Sequence, residues 1–180
     1  IYLDLIVSYG FRITATDLIS KSNKNSEEVS KIFCAVMGTK VILILLVTFL
    51  LSISMLLVPF LNNNSTLIIC GFPYLIGNFL FPVWLFQGLQ RMKYITYIHI
   101  VSKVLFTCLI FVLVKDENDI EYAIGSYSFG FLIAGIISVI IAYKKFSLKL
   151  HFPSFSSIKH QFVNGYYIFL SQFSVSMYSS

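Results

Sequence analysis

Long runs of apolar residues alternate with short polar segments along this chain. Positions 41–90 carry no charged side chain, between Lys40 and Arg91. At about 1.5 Å per residue, such a run forms roughly 75 Å of helix, enough to cross a hydrocarbon core of about 30 Å twice. A polar cluster at 62–65, "NNNS", follows Pro59 and predicts the turn between the two crossings.

The whole pattern predicts an all-α fold, a polytopic transmembrane helix bundle in a single domain, 1–180. We expect about six spans or part-spans, because each stretch of some 20 apolar residues is long enough for one crossing. The predicted spans are about 1–20, 40–61, 66–89, 94–114, 123–143 and 162–180, with an amphipathic cytoplasmic linker at 144–161.

Two of the polar connections carry helix signals of their own. Asn25 followed by Glu28 resembles a capping box, and Glu27 precedes Lys31 by one turn. We therefore predict that the helix of the second span begins in the cytoplasm and runs into the membrane. In the 144–161 linker, Ser154 is a second predicted cap, for an amphipathic helix that lies on the membrane surface or, as the alternative, binds a partner.

Composition excludes a soluble domain. Hydrophobic residues make up 57% of the chain and charged residues 12%, with a mean hydropathy of +0.83, whereas soluble domains average about 45–50% and about 25%. The three cysteines show no CxxC spacing and are interpreted as packing residues. The chain begins at Ile1 without a charged leader and both ends lie in apolar stretches, so we expect a piece of a longer protein.

The charges between the spans are strongly asymmetric. Alternate connections hold ten Lys and Arg residues, and the connections on the other side hold only Lys115, beside four acidic residues. This bias places the basic connections in the cytoplasm. The formal net charge of +5 therefore reflects membrane topology, and no nucleic-acid partner is expected. The ten cations are Lys21, Lys24, Lys31, Lys40, Arg91, Lys93, Lys144, Lys145, Lys149 and Lys159; the four acids are Asp116, Glu117, Asp119 and Glu121.

The stretch "FPVWLFQGLQRMKYIT" (81–96) closes the third predicted span. Pro82 lacks a backbone donor and predicts a kink, which neighbouring helices can accommodate. Phe81, Trp84 and Phe86 are interpreted as an aromatic belt at the lipid–water boundary, followed by cationic anchors.

Four ionisable residues lie inside predicted spans: Asp4, Arg12, His99 and Lys103. A charge there costs about 2.5–3.5 kcal/mol on insertion scales and usually faces a cavity or a partner. Lys103 and His99 share one helix face, whereas Asp4 and Arg12 are two turns apart and too distant for direct contact along one helix. We predict all four as candidate residues of a substrate-binding cavity. The structural alternatives are a Lys103 that binds carbonyls of a neighbouring helix and an Arg12 that reaches the membrane surface.

No catalytic set or metal-binding spacing accompanies these residues. The three histidines are scattered, and the sequence shows neither a Ser–His–Asp arrangement nor a glycine-rich phosphate loop. We therefore predict no catalytic residues and no metal site.

Four stretches resemble one family of transporters: "YGFRITATDLIS" (9–20), "FPVWLFQGLQRMKYIT" (81–96), "SKVLFTCLIFVLVK" (102–115) and "AGIISVIIAYKKF" (134–146). They are similar to the Wzx-type flippases of O-antigen and capsule repeat units. These belong to the multidrug/oligosaccharidyl-lipid/polysaccharide exporter superfamily.

The resemblance implies a transporter with 12–14 spans in two lobes around a central cavity, in the bacterial cytoplasmic (inner) membrane. It implies translocation of undecaprenyl-pyrophosphate-linked oligosaccharide to the periplasmic leaflet, with H⁺ or Na⁺ coupling and no cofactor. The implied partners are this lipid-linked substrate, membrane lipid and other polysaccharide-assembly proteins. By the same resemblance, Arg12 and Lys103 would attract pyrophosphate or acidic sugars.

Three alternatives remain open at the level of sequence. One is a cation-coupled multidrug or small-molecule exporter of the same superfamily, which would favour acidic cavity residues. Another is a membrane enzyme of polysaccharide assembly, although the short outer connections argue against it. The third is a non-functional remnant of a transporter gene.

Overall fold

The computed structural model describes residues 2–22, 25–116 and 119–179, and these ranges contain helices but no strand. Lys24 and Glu117, counted above among the loop charges, lie outside them. The helices are α1 (Tyr2–Ser8), α2 (Phe11–Lys21), α3 (Ser26–Leu57), α4 (Pro59–Asn63), α5 (Ser65–Leu80), α6 (Val83–Gly88), α7 (Lys93–Leu113), α8 (Ile120–Phe146) and α9 (Phe155–Ser179).

Four helical segments within the described residues are long and apolar enough to cross a membrane. They are α3, the combined segment Ser65–Gly88 formed by α5 and α6, α7 and α8. Large apolar side chains such as Leu56 and Phe111 remain exposed on these helices, as expected where lipid covers the surface. The predicted all-α, polytopic membrane bundle is thereby confirmed.

Asn25 caps the start of α3 as predicted, but not through a capping box with Glu28, because the Asn25 N–H donates to the backbone oxygen of Ser22. The Asn25 side chain accepts a hydrogen bond from the backbone N–H of Glu27 at 3.1 Å, one residue before the predicted partner Glu28. Glu27 pairs with Lys31 at 2.7 Å. The helix then continues without a break until Val58, whose extended backbone is typical of a residue before proline.

The first predicted span, 1–20, is divided into α1 and α2. Tyr9 and Gly10 between them adopt positive φ angles of 41° and 75°, a conformation that glycine tolerates well. The Tyr9 ring stacks on Phe169 of α9 at 4.9 Å between centroids. A Cβ added to Gly10 would lie 2.7 Å from Ile168 of the same helix. Close contact with α9 therefore fixes the break.

Helix α8 packs between α5 and α7 with little space for side chains. A Cβ on Gly77 of α5 would lie 2.6 Å from the backbone oxygen of Phe131, and one on Gly135 would lie 2.6 Å from the backbone oxygen of Gly77. A Cβ on Gly130 would lie 3.0 Å from the backbone oxygen of Ser102 in α7. Such close approach at glycine is characteristic of helix packing in membranes.

The predicted aromatic belt at 81–86 is wrong. Phe81, Trp84 and Phe86 are all buried. Trp84 lies against Phe33 of α3, with ring centroids 5.7 Å apart. The reason is the break before α6, which turns this short helix across α2, where a Cβ on Gly88 would lie 2.6 Å from Ile19. These rings therefore form a protein core and do not mark the lipid boundary.

The connection between α8 and α9 is held against α3. The backbone N–H groups of Lys149 and His151 donate to Ser30 Oγ at 3.0 Å and to Cys34 Sγ at 3.3 Å. Ser154 Oγ then accepts from the backbone N–H of Ser157 at 3.1 Å, as a helix cap does. The helix that begins here is α9, so the predicted surface helix and the last predicted span form one continuous helix.

The acidic connection before α8 forms a turn that is held by hydrogen bonds between its own residues. Asp119 Oδ2 accepts hydrogen bonds from the backbone N–H groups of Lys115 at 2.8 Å and Asp116 at 3.1 Å. These hydrogen bonds lower the pKa of Asp119. Its carboxylate therefore caps a turn, consistent with the solvated outer connection predicted from the sequence.

The orientation remains a prediction that reporter fusions can check. In the full-length protein, fusions after Lys21, Lys93 and Lys145 are expected to report the cytoplasm, because these residues belong to the basic connections. A fusion after Lys115 is expected to report the opposite side. Opposite locations for any two of the first three fusions would contradict the topology.

Candidate functional site

The structure brings three of the four predicted site residues to one cavity. Asp4, Arg12 and His99 line a space of about 320 Å³ between the two helix breaks, α3 and α7. Lys40, which the sequence analysis assigned to a cytoplasmic connection, also lines it. Lys103 is not among the lining residues and is exposed on α7. The other lining residues are Ser8, Phe11, Asn78, Phe81, Val83, Trp84, Gln87 and Ile95.

The break between α1 and α2 places Asp4 and Arg12 on two separate helices, and both residues line this cavity. The two residues belong to different short helices, and both also line a second cavity of about 530 Å³, on the side of α9. There they are accompanied by Ser171 and Gln172. Asp4 Oδ1 is buried and has no hydrogen-bond partner among the described residues. The pair therefore lies in the polar wall between two cavities.

Lys40 is buried near the middle of α3, with 4% of its surface exposed. Its Nζ donates hydrogen bonds to the backbone oxygens of Asn78 at 3.1 Å and Phe79 at 2.8 Å. An ammonium group has three N–H donors, so two of them are used by the end of α5. The prediction that Lys40 is a loop cation is wrong, since the charge lies within the helix bundle.

The break between α5 and α6 explains why Lys40 is needed. In a continuous helix the oxygen of Asn78 would accept from the N–H of residue 82, but Pro82 has none. The N–H of Val83 donates to Phe81 at 3.0 Å, which leaves the oxygen of Phe79 without its usual donor. Lys40 supplies a donor to both freed oxygens. The kink predicted at Pro82 is thus a full break in the helix.

Ser138 of α8 completes the same arrangement. Its Oγ donates to the backbone oxygen of Gly135 in its own helix at 2.5 Å and makes a longer contact, of 3.3 Å, to the backbone oxygen of Leu80. The Asn78 and Phe79 oxygens are thus satisfied by Lys40, and the Leu80 oxygen shares the single proton of Ser138. No apolar pattern could have identified Lys40 for this role; the available signal was Pro82, whose missing N–H creates the demand for a donor.

The cavity is cationic with a single acidic group. Arg12 and Lys40 contribute two positive charges and Asp4 one negative charge, whereas the His99 ring packs edge-on against Phe81 at 5.2 Å between centroids. Guanidinium and ammonium groups form charge-assisted hydrogen bonds with phosphate and carboxylate. The arrangement therefore suits binding of an anionic group. Within the described residues, no three His, Cys, Asp or Glu side chains are grouped as a metal site requires.

Comparisons with known proteins agree with the membrane architecture. A family model described as "Polysaccharide biosynthesis protein" matches residues 1–180. A protein of Escherichia coli K12 named "Putative O-antigen transporter" is 34% identical over 185 residues, covering all of this chain and 43% of its own length. A protein of the same name from Shigella dysenteriae is 33% identical over 144 residues, covering 79% of this chain and 35% of its own length.

The chain thus spans less than half the length of these curated relatives. No solved structure gives a significant match. The resemblance to O-antigen flippases inferred from the four sequence stretches is confirmed by the family match and by the relatives' names. Together with the four apolar helices, the match over the full chain identifies this multi-pass membrane protein as a member of the polysaccharide biosynthesis protein family.

Proposed function

We propose that this chain is part of a flippase for undecaprenyl-pyrophosphate-linked oligosaccharide repeat units of O-antigen or capsule. The observation that carries the proposal is the cationic cavity at Arg12 and Lys40, inside a helix bundle whose relatives are named O-antigen transporters. The bacterial cytoplasmic membrane is its proposed location, and the protein acts as a transporter and not as an enzyme.

In the proposed mechanism the cavity binds the anionic head of the substrate while the lipid tail stays in the bilayer. Two lobes of the full-length protein rock around the cavity and expose it first to the cytoplasm and then to the periplasm, as in other transporters with a central site. Arg12, which is exposed to both polar cavities, provides the first contact for pyrophosphate or acidic sugars. Coupling to H⁺ or Na⁺ provides the driving force without a cofactor, and other polysaccharide-assembly proteins supply or receive the substrate.

A cation-coupled exporter of small molecules is a second candidate function. Asp4 favours it, because a buried carboxylate oxygen that has no hydrogen-bond partner among the described residues can accept a proton or a cation. The exporter function requires Asp4 and does not require Arg12. Substitutions at the two positions therefore distinguish the exporter from the flippase.

The test is to replace Arg12 with alanine in the full-length protein and to measure surface polysaccharide. We expect a reduction of about tenfold or more, since loss of one hydrogen bond to a charged group costs about 1.5–3 kcal/mol. Lys103→Ala is the matched control: it removes a cation from the same bundle, but one that lies outside the cavity. The amount of each protein in the membrane is measured in parallel.

Normal surface polysaccharide in Arg12→Ala cells would contradict the proposal. A phenotype confined to Asp4→Asn, together with loss of small-molecule efflux, would support the exporter instead. Equal losses for Arg12→Ala and Lys103→Ala would show that the cavity is not where the substrate binds.

A further inference from the structure

A third cavity lies at the opposite end of α6 from the break. It encloses about 480 Å³ between the start of α3, the α6–α7 connection and the end of α8. It shares no lining residue with the cavity that contains Arg12. Its lining residues are Ser26, Val29, Leu89, Arg91, Lys93, Tyr94, Lys145 and Phe146.

Three cations line this space, and none of the described residues that line it is acidic. The ion pairs found within the described residues, Lys21–Asp17 and Lys31–Glu27, use none of them. The Nζ of Lys93 lies 5.7 Å from the centroid of the Tyr94 ring, a contact that leaves its charge uncompensated. All three residues are exposed, and an anion bound between them would reduce their mutual repulsion.

Half of the lining residues are apolar or aromatic. Val29 and Leu89 are buried, and Tyr94 and Phe146 are half-buried. The hydroxyl of Ser26, the remaining lining residue, donates to the backbone oxygen of Ser147 at 3.1 Å. A cavity lined by both cationic and apolar residues is complementary to a molecule in which a phosphate is joined to a hydrocarbon portion.

The position of the cavity suits the membrane surface. Arg91 belongs to a basic connection and Lys145 to the last turn of α8, beside the next basic connection. Both connections are predicted to lie in the cytoplasm. Basic pockets between membrane helices on this side are suited to anionic lipid headgroups.

We propose that this cavity binds the phosphate of an anionic phospholipid from the cytoplasmic leaflet. Arg91, Lys93 and Lys145 surround the phosphate, and the glycerol and first methylene groups lie on Val29 and Leu89. A volume of about 480 Å³ lies within the range of small-molecule pockets, about 300–1,000 Å³, and is ample for a glycerophosphate group. The bound lipid links the ends of α3, α7 and α8. The proposal is independent of the substrate that the protein carries.

The experiment measures lipid retention by the full-length protein. Protein purified in mild detergent is titrated with phosphatidylglycerol, or with zwitterionic phosphatidylethanolamine, and bound lipid is counted by native mass spectrometry. The site variant is Arg91→Gln/Lys93→Gln/Lys145→Gln. The matched control is Lys144→Gln/Lys149→Gln/Lys159→Gln, which removes three cations from the same predicted side but none from the cavity.

We expect wild type and control to prefer phosphatidylglycerol and the site variant to lose at least about tenfold in affinity, since each cation at a membrane surface contributes on the order of a fivefold effect. If the triple variant fails to fold, the adjacent lysines give a milder pair: Lys145→Gln is expected to weaken phosphatidylglycerol binding and Lys144→Gln to leave it unchanged.

Equal loss in the site variant and the control would overturn the proposal, because binding would then follow total surface charge. A second arm adds undecaprenyl pyrophosphate to the wild type. Displacement of phosphatidylglycerol by equimolar pyrophosphate lipid would assign the cavity to that lipid and overturn the phospholipid assignment. Since lipid retention requires no transport, these outcomes are distinct from a failure of the proposed flippase function.

Discussion

Replacing Lys40 with methionine is expected to remove most of the folded protein from the membrane. The substitution keeps a long side chain but leaves the backbone oxygens of Asn78 and Phe79 buried without donors, at about 1–3 kcal/mol each. The measurement is the thermal unfolding temperature of the full-length protein in detergent, together with its level in membranes. Lys103→Met is the control, since it removes an exposed lysine from a span.

A second substitution tests whether Lys40 acts through the helix break. Pro82→Ala restores an N–H group that can reach the oxygen of Asn78 and makes a continuous helix available. Lys40→Met/Pro82→Ala is therefore expected to recover much of the lost stability. Surface polysaccharide is expected to stay low, because Phe81, Val83 and Trp84 line the cavity from the broken segment. A double variant no more stable than Lys40→Met would refute this account of Lys40.

Replacing Gly135 with alanine is expected to destabilise the bundle, by up to about 3 kcal/mol from overpacking. A Cβ there would lie 2.6 Å from a backbone oxygen of α5, which cannot move as a flexible side chain can. The matched control is Gly125→Ala on the same helix, where no atom lies within 4 Å of the added Cβ.

The two alanine variants should shift the unfolding temperature in opposite directions. At Gly125 only the helix preference of alanine over glycine acts, which is worth about 1 kcal/mol in favour of the variant. At Gly135 the same preference is outweighed by the clash between the helices. If both variants raise the unfolding temperature, α5 and α8 are not in backbone contact as described here.

The long helices could be predicted from the sequence because the bilayer imposes a simple rule. Backbone groups in lipid must be paired within the helix, so a charge-free run of sufficient length has few other structures available. The start of α3 was predicted from a separate signal, a capping residue, and Asn25 does cap the helix before the apolar run begins.

Residues that depend on contacts between distant helices could not be found in this way. Lys40 stands at the edge of an apolar run, which is also where a lysine that sets orientation would stand. Trp84 lies near the end of an apolar span, which is also where a boundary aromatic would stand. Their burial depends on the direction in which α6 leaves the Pro82 break, and this direction is set by packing against α2 and α3.

Part of the candidate site could be predicted from the sequence. Intramembrane charge is rare enough to identify Asp4, Arg12 and His99 from the sequence, and the structure places all three at one cavity. The sequence could not separate these three residues from Lys103, because a charge alone does not show which side of its helix faces the cavity. Their roles in binding remain predictions that the Arg12 and Asp4 variants test.

The replacement of backbone pairing by side chains at the end of α5 has a mechanical consequence. Neither the Asn78 nor the Phe79 oxygen is bonded to the turn that follows, so three side-chain contacts, two from Lys40 and one from Ser138, take the place of helical stiffness there. A change of angle between α5 and α6 would therefore stretch these side-chain contacts to α3 and α8. It would not break the backbone hydrogen bonds of a continuous helix. The span therefore consists of two stiff helices joined at a bend, and neighbouring helices hold that bend in place.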